Sequence, residues 1–205
     1  MKRTRGPIEK FFHRNRLLQV AARVFGERGI RDATIDDLIA AADVSRRTFY
    51  QYFRGKEELL VALFTVSCEL LLQVLRDEIR RAPAGERIER CVDTYLSFRQ
   101  RAGAIMFELE AEALRPGSPL GPIRQQLLDA ASAELSREIT ASGGRRVDPL
   151  VVHGVLLAIE GISHRMQSPE PYTEERARAA MLRIALAALS RPGDDVPALP
   201  TVAAG

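Results

Sequence analysis

The sequence contains almost no signal for β-structure. Apolar and polar residues do not alternate in runs bounded by hairpin turns, and no internal repeat is present. Apolar residues recur instead at three- and four-residue spacing along nearly the whole chain, which is the period of one helix face. The sequence therefore predicts an all-α fold.

Other absences narrow the function. The 205 residues contain no uninterrupted apolar run of about 18 residues, and no apolar segment follows the basic N-terminus. We therefore expect neither a membrane span nor a signal peptide, and a cytoplasmic location. A nucleophile elbow, a phosphate-binding loop, a Cys/His nucleophilic pair and an HExxH motif are also absent. We expect no enzymatic activity and no cofactor.

Cysteine and histidine are scarce. Cys68 and Cys91 both lie in apolar helical patterns, which is typical of buried free thiols. The three histidines are too scattered to predict a metal site. His153, Glu160 and His164 do fall near one line of a single predicted helix. This spacing leaves three alternatives open, which are a polar pocket, a metal site and interface contacts.

Positive charge is concentrated in the first quarter of the chain. Residues 1–56 contain 13 Lys and Arg against 6 Asp and Glu, a net charge of +7. Residues 57–205 contain 17 against 21, a net charge of −4. A basic end on a larger acidic remainder indicates nucleic-acid binding at that end and a different task for the rest.

The breaks between periodic segments are rich in Gly and Pro and predict about nine helices. Three N-terminal helices, two of them short, precede longer ones. We predict a DNA-binding domain with a basic arm over 1–56, a helical regulatory and dimerisation domain over 57–190, and a disordered tail over 191–205. The predicted helices cover about 11–28, 35–42, 45–52, 56–81, 86–101, 104–114, 120–142, 149–167 and 173–190.

The segment from Gly29 to Leu60 contains the most informative pattern. Thr34 with Asp37 three residues later resembles a capping box that starts a short helix. Asp43 and Val44 form a tight turn, and Ser45 can cap a second short helix. Two short helices joined in this way predict a helix-turn-helix, whose second helix enters a major groove about 12 Å wide.

Residues 13–62 resemble the tetracycline-repressor (TetR) family of regulators. One departure is Asp43, where such proteins usually carry Gly. Aspartate tolerates the left-handed backbone better than most residues, so we expect the turn to be kept. Beyond residue 62 the resemblance rests only on helix number and length. The matching residues are Gly29, Ala33-Thr34-Ile35, Leu38, Ala41-Ala42, Val44-Ser45, Thr48-Phe49-Tyr50, Tyr52-Phe53 and Lys56-Glu57-Glu58-Leu59-Leu60.

The resemblance implies roles for residues of the helix-turn-helix. Arginine can donate two hydrogen bonds to guanine. We therefore expect at least one of Arg46 and Arg47 to read a base. The alternative is a phosphate contact. A basic arm, Lys2, Arg3 and Arg5, either follows the DNA backbone or is merely solvated. The predicted base-reading residues are Ser45, Arg46, Arg47 and Gln51, and the predicted phosphate contacts are Thr34, Thr48, Tyr50, Tyr52 and Lys56.

The C-terminal part is larger than DNA binding requires. The last two predicted helices carry small and apolar residues that suit a four-helix dimer interface, which the resemblance also implies. Polar residues among apolar ones in the middle helices are what an effector pocket needs. The predicted interface residues are Val151, Val155, Ala158, Ile162, Ala180, Ile184 and Ala188, and the predicted pocket residues are Tyr95, Phe98, Arg99, Met106, Phe107 and Glu110.

These features together predict a homodimeric DNA-binding repressor that binds a palindromic operator in double-stranded DNA and is released by a small-molecule effector. Two alternatives stay open. One is a DNA-binding regulator that acts without any ligand. The other is an activator, because the sign of regulation depends on where the operator lies and not on the protein.

Overall fold

The computed structural model describes residues 7–141, 146–166 and 172–189, with backbone only at residues 7–10 and 84. These residues form nine α-helices, one 3-10 helix (Ala84–Glu86) and no strand. The all-α prediction is therefore confirmed. The helices are α1 (Pro7–Arg28), α2 (Ile35–Ala42), α3 (Arg46–Tyr50), α4 (Lys56–Arg81), α5 (Arg87–Ala102), α6 (Ala104–Leu114), α7 (Gly121–Ala141), α8 (Pro149–Arg165) and α9 (Glu174–Leu189).

Three helix ends differ by two residues or more from the predicted ones, one of them the end of α8, which lies at Arg165 and not at about 167. Helix α1 begins at Pro7, about four residues early, because proline suits the first helical position, where no backbone donor is needed. Helix α3 ends at Tyr50, two residues early. Gly29 follows α1 with a φ of +82°, as a C-terminal glycine should. The predicted basic arm (1–6) and disordered tail (191–205) lie outside the described residues.

The chain divides into two compact units. Unit 1 comprises residues 1–69 and 102–124, and unit 2 comprises 70–101 and 125–205. Helices α4 and α7 contribute to both units, whereas α6 belongs wholly to unit 1. Our predicted boundary after residue 56 divides the chain by task, with DNA binding before it and regulation after it, and it stays a prediction. In terms of packing, the helix-turn-helix belongs to the same compact unit as α6.

Unit 1 has an aromatic core. Helix α1 packs against α2 and α6, and α2 packs against α3. At the α1–α6 contact, a Cβ on Gly26 would lie 3.4 Å from the Ile105 backbone nitrogen, so the two helices approach closely. Four phenylalanines of this unit are 2% exposed or less: Phe25, Phe49, Phe53 and Phe64. They fix how the short helices α2 and α3 lie on their neighbours.

Unit 2 has an aliphatic core in which α8 packs against α9. Ion pairs connect helices that are distant in sequence. The Arg178 guanidinium donates to Asp93 Oδ1 at 2.5 Å and to Glu89 Oε1 at 2.7 Å, which joins α9 to α5. The buried apolar residues are Val92, Leu96, Val147, Val152, Val155, Ile159, Met181, Leu182, Ala185 and Leu189.

Helix α4 is long and apolar enough to cross a membrane by length and composition, with a mean hydropathy of 1.9 over its most apolar 18-residue window. A third of that window is buried within the protein. Glu69 and Arg76 interrupt the apolar run within this continuous helix. A long core helix of a globular protein passes the same test, so this is a weak signal.

Candidate nucleic-acid interface

The first helix of the helix-turn-helix begins at the predicted capping box. The Asp37 backbone N–H donates to Thr34 Oγ1 at 3.2 Å, and the Thr34 backbone N–H donates to Asp37 Oδ2 at 2.9 Å. The hydrogen bond from the Thr34 hydroxyl, then that from its backbone N–H, lowers the pKa of Asp37. Arg28 adds an ion pair at 2.9 Å. These contacts fix the start of α2.

The turn between α2 and α3 keeps its geometry despite the missing glycine. Asp43 adopts the left-handed conformation, with φ 50° and ψ 52°, and is the one non-glycine residue with positive φ among the described residues. The Val44 backbone N–H then donates to the Ile39 carbonyl at 3.3 Å. The expectation that aspartate tolerates this turn is confirmed.

The recognition helix α3 is capped by Ser45. The Thr48 backbone N–H donates to Ser45 Oγ at 3.0 Å, and the two hydroxyls lie 2.9 Å apart. Phe49 is fully buried and anchors the helix. Both hydroxyls therefore already have partners, and a DNA contact by Ser45 or Thr48 would have to share them.

The long side chains of α3 point to solvent. Arg46, Arg47, Tyr50 and Gln51 are all exposed. Arg46 pairs with Asp36 of α2, which holds its guanidinium against the protein. Within residues 7–141, no hydrogen bond or ion pair engages the Arg47 side chain. The two adjacent arginines thus differ, and Arg47 has the freer set of donors.

Lys56 makes contacts that the sequence did not suggest. Its ammonium donates to the carbonyl oxygens of Ile30 at 2.7 Å, Arg31 at 3.1 Å and Ala33 at 2.8 Å. An ammonium has three donors, so these bonds use all of them. We predicted a phosphate contact here. These bonds join the start of α4 to the α1–α2 loop, so a phosphate would have to displace one carbonyl, and the predicted phosphate contact stays a prediction.

Glu108 of α6 also contacts this region, although it was not among the predicted site residues. Its Oε2 accepts a hydrogen bond from the Ile30 backbone N–H at 3.1 Å. Ile30 therefore binds a carboxylate at its N–H and the Lys56 ammonium at its carbonyl. Four residues along α6, Glu112 forms a bond of 2.5 Å with Arg115, which lowers the pKa of Glu112. The sequence signal for these contacts was the pair Glu108 and Glu112, one turn apart among the apolar residues of α6.

The start of α1 also reaches the helix-turn-helix. The His13 ring stacks on Tyr52 with centroids 6.3 Å apart and an interplanar angle of 26°. The Arg14 guanidinium lies over the Phe53 ring, 5.4 Å from its centroid. Sequence reasoning did not assign these contacts because residues 13 and 52 are joined only by the fold.

The predicted effector residues are divided between the units. In α5, Phe98 and Arg99 are buried, and Arg99 Nη1 donates to Tyr95 Oη at 3.3 Å. In α6, Met106 and Glu110 are buried and Phe107 is half-buried. Two cavities, of about 280 Å³ beside Lys56 and about 620 Å³ beside Asp148, are lined by other residues. The predicted pocket stays a prediction.

The predicted dimer residues lie on both sides of α8 and α9. Val155 is 5% exposed and belongs to the core of unit 2, so little of its side chain is left for a partner, and its assignment to the interface stays a prediction. Val151 and Ile184 are exposed, with Leu150 and Leu157 beside Val151 on α8. The remaining predicted residues, Ala158, Ile162, Ala180 and Ala188, are half-buried.

The histidines of α8 do not form a cluster of metal ligands in the described part of the chain, where no group of three or more His, Cys, Asp and Glu is suitably placed. His153 Nδ1 lies 3.7 Å from Asp129 Oδ1 of α7. Cys68 and Cys91 are free thiols, and burial raises the pKa of Cys91 to about 12. Cys68 is buried and Cys91 is half-buried.

A family model described as bacterial regulatory proteins, tetR family, matches residues 17–63. The transcriptional repressor KstR2 of Mycobacterium tuberculosis is 32% identical over 77 residues, 38% of this chain and 38% of that protein. The transcriptional activator FasR of Mycolicibacterium smegmatis is 30% identical over 86 residues, 42% of this chain and 39% of that protein. The chain thus spans well under half the length of these relatives.

Solved structures extend the likeness to most of the chain. PfmR of Thermus thermophilus, a TetR-family regulator, is 25% identical and covers 82% of this chain and 96% of that one, with a TM-score of 0.61. FadR of Bacillus subtilis in complex with stearoyl-CoA is 16% identical and covers 86% and 97%, with a TM-score of 0.70. The multidrug binding protein EbrR complexed with malachite green is 22% identical and covers 83% and 96%, with a TM-score of 0.63.

Proposed function

Because the chain belongs to the tetR family of bacterial regulatory proteins, we propose that it binds a palindromic DNA site as a homodimer, represses transcription there, and is released by a small molecule. It is a transcriptional regulator with a DNA-binding helix-turn-helix and not an enzyme. We place it in the cytoplasm, where such regulators meet DNA. The observation that carries the proposal is the capped α2–turn–α3 unit with its exposed arginines.

Arg47 is our first choice for reading a base. It is exposed at the start of α3 and has no partner among residues 7–141, whereas Arg46 is paired with Asp36. A bidentate arginine–guanine contact contributes about 1–3 kcal/mol of discrimination between bases. Ser45 and Gln51 flank this position, and Tyr50, Tyr52, Thr34, Thr48 and Lys56 surround it as candidates for phosphate binding.

The experiment selects duplexes from a random-sequence pool with the full-length protein and measures their dissociation constants against random DNA. We expect Arg47→Ala to lower discrimination roughly ten- to a hundredfold and Arg46→Ala to have the smaller effect. The double variant should keep only weak, salt-sensitive binding. Full discrimination by the double variant would overturn the assignment of base reading to these two residues.

Dimerisation is supported by the exposed face of α8. Leu150 is 76% exposed, and Leu157 lies two turns along the same helix. A Cβ added at Gly154 or Gly161 meets nothing within 4 Å, so a second helix has room to approach there. A single recognition helix per subunit usually works in pairs on two-fold sites.

Gly154→Leu tests the dimer without disturbing the subunit. The new side chain enters open space in the subunit but would obstruct a closely packed partner. We expect sedimentation equilibrium to show a weaker dimer with unchanged helicity by circular dichroism. A dimer of unchanged strength would exclude this face.

Effector release is supported by buried polar side chains within each unit rather than by a shaped cavity. Arg99, 4% exposed, lies over the Tyr95 ring at 5.6 Å in unit 2, and Glu110 is buried in unit 1. Proteins of this fold were solved with ligands as different as stearoyl-CoA and malachite green, so the fold itself does not choose the effector. Because α6 shares a unit with the helix-turn-helix, a ligand that moves α6 acts directly on the DNA-binding unit.

The test adds stearoyl-CoA, malachite green and a metabolite panel to the protein–DNA complex and follows DNA release and melting temperature. We expect one class to raise the melting temperature and release DNA, and Arg99→Ala to lose release but keep DNA binding. If no compound does either, the ligand-independent alternative is favoured. Transcription in vitro decides the sign, which differs between the relatives KstR2 and FasR.

A further inference from the structure

The first turns of α1 carry two large aromatic side chains that the protein leaves in water. Phe11 is 62% exposed and Phe12 is 67% exposed, with their rings edge to face at 6.0 Å. They are the two most exposed aromatic side chains among the described residues. Burying a phenylalanine side chain is favourable, so an adjacent exposed pair is costly unless something covers it.

Phe11 continues the buried stripe of α1. By the helical period it shares a face with Leu18 and Phe25, seven and fourteen residues along, which are 5% and 0% exposed. The apolar face therefore extends past the end of the core of unit 1. Nothing within residues 7–141 covers this extension, and it is aromatic rather than polar.

The aromatic pair adjoins the proposed DNA surface. His13, the next residue, stacks on Tyr52, a predicted phosphate contact. Arg14 follows over the Phe53 ring, and Arg16 is exposed. The net charge of +7 over residues 1–56 makes an anionic polymer the matching partner and disfavours a second copy of the same basic surface.

We propose that Phe11 and Phe12 pack against the deoxyribose edge of the minor groove next to the major groove that α3 enters. This inference rests on the proposed function. Phenylalanines can cover sugar faces or enter between base steps of a minor groove, and flanking cations bind the neighbouring phosphates. The DNA surface of this protein then includes the start of α1 as well as the helix-turn-helix, and the added contact is apolar.

The experiment uses the full-length chain and the duplex that the wild-type protein enriches from a random-sequence pool. Phe11→Ala/Phe12→Ala keeps a strong helix former at both positions. We expect the dissociation constant to rise about tenfold. The dependence on salt should not change, because no phosphate contact is lost. Hydroxyl-radical protection of the deoxyriboses flanking the selected site should also disappear.

Two further variants serve as controls. Leu114→Ala removes another exposed apolar side chain of unit 1, 51% exposed on α6, and should leave DNA affinity unchanged. Phe11→Leu/Phe12→Leu keeps an apolar surface and should restore part of the affinity. Circular dichroism and sedimentation should show the same helicity and assembly for all of these proteins.

An unchanged dissociation constant and footprint for the double alanine variant would overturn the inference. So would a lost affinity that follows a change in self-association, since the pair would then contact a second copy of the chain. If the wild-type protein enriches no duplex, the proposed function itself fails. If it does and the alanine variant binds equally well, only this inference fails.

Discussion

Unit 1 and unit 2 are both helical, but the helices of unit 1 that would meet DNA are much shorter, eight residues in α2 and five in α3 against 17 in α8 and 16 in α9. In unit 1, hydroxyls and carboxylates cap helices within three residues of themselves, as Thr34 and Ser45 do. In unit 2, Arg178 joins helices through carboxylates 85 and 89 residues away. A recognition helix of five residues is too short to be stable alone, so its ends and its one buried anchor must be well defined.

The hydrophobic cores of the two units also differ in their residue types. Unit 1 buries phenylalanines around short helices, and each ring covers a large area that a five- or eight-residue helix could not otherwise bury. Unit 2 buries small and branched aliphatic residues between longer helices, and leaves apolar side chains of α8 exposed. Both units nevertheless leave apolar side chains in water, Phe11 and Phe12 in unit 1 and Leu150 in unit 2.

The largest expected effect separates the two cores. Phe49→Ala should lower the free energy of unfolding of unit 1 by about 3–5 kcal/mol, and Met181→Ala that of unit 2 by about 2–5 kcal/mol, because both side chains are fully buried. Urea unfolding followed by circular dichroism, with hydrogen exchange to localise the loss, measures both. Tyr50→Phe, at an exposed position, is the control and should stay within about 0.5 kcal/mol. Loss spread equally over both units would contradict the division.

The next largest effect is expected for Lys56→Met, which distinguishes a structural role of Lys56 from a role in phosphate binding. The methionine keeps an apolar stem but leaves the carbonyls of Ile30, Arg31 and Ala33 without the ammonium, so stability should fall by about 1–3 kcal/mol even without DNA. Thermal and urea unfolding of the free protein measure this. If stability is unchanged and only the salt dependence of DNA binding falls, by about one phosphate contact, Lys56 binds DNA as the family resemblance implies.

Two threonines that cap helices, Thr34 in unit 1 and Thr173 in unit 2, allow a direct comparison of the units. Thr34 exchanges three hydrogen bonds with Asp37, whereas Thr173 Oγ1 accepts a single one, at 3.3 Å, from the Arg176 backbone N–H. Thr34→Ala should cost about 1 kcal/mol and Thr173→Ala roughly half as much. Equal losses in urea unfolding would mean that the additional hydrogen bond from the Thr34 hydroxyl to the Asp37 carboxylate adds nothing here.

The smallest effect is a dependence on pH in unit 1. Hydrogen bonds from Thr34 and the charge of Arg28 hold the pKa of Asp37 below its ordinary value of 3.8. The stability that this carboxylate contributes is present above that value and is lost as the pH falls through the lowered pKa. Wild type and Asp37→Asn should therefore differ more at about pH 6 than at about pH 3 in urea unfolding. The same difference at both values would remove Asp37 from the acid response.

Much of unit 1 could be predicted because its signals are local. The capping box at Thr34, the turn at Asp43 and the Ser45 cap involve residues at most five positions apart, so composition and spacing suffice to find them. The contacts of Lys56 could not be found in this way, since its carbonyl partners lie 23 to 26 residues away. Family resemblance pointed to phosphate and gave no sign of these bonds.

Unit 2 could be predicted only as a set of helices. Small and apolar residues on α8 suit an interface and a core equally well. Val155 was predicted to lie in the interface, but the subunit itself buries it. Its neighbour Val151, one turn away, is 41% exposed, while Val155 is 5% exposed. Periodicity identifies an apolar face but not which half of a wide face the subunit covers for itself.

The sequence by itself determined the helices, their caps, the turn and the concentration of positive charge, because each depends on residues near one another along the chain. Only the tertiary structure decided that α6 belongs with the helix-turn-helix, that Glu108 bonds to Ile30 across 78 residues, and that the start of α1 meets Tyr52. Such contacts follow from the path of the whole chain. No local pattern encodes them, because a carboxylate or a histidine in a helix looks the same whichever neighbour the fold brings to it.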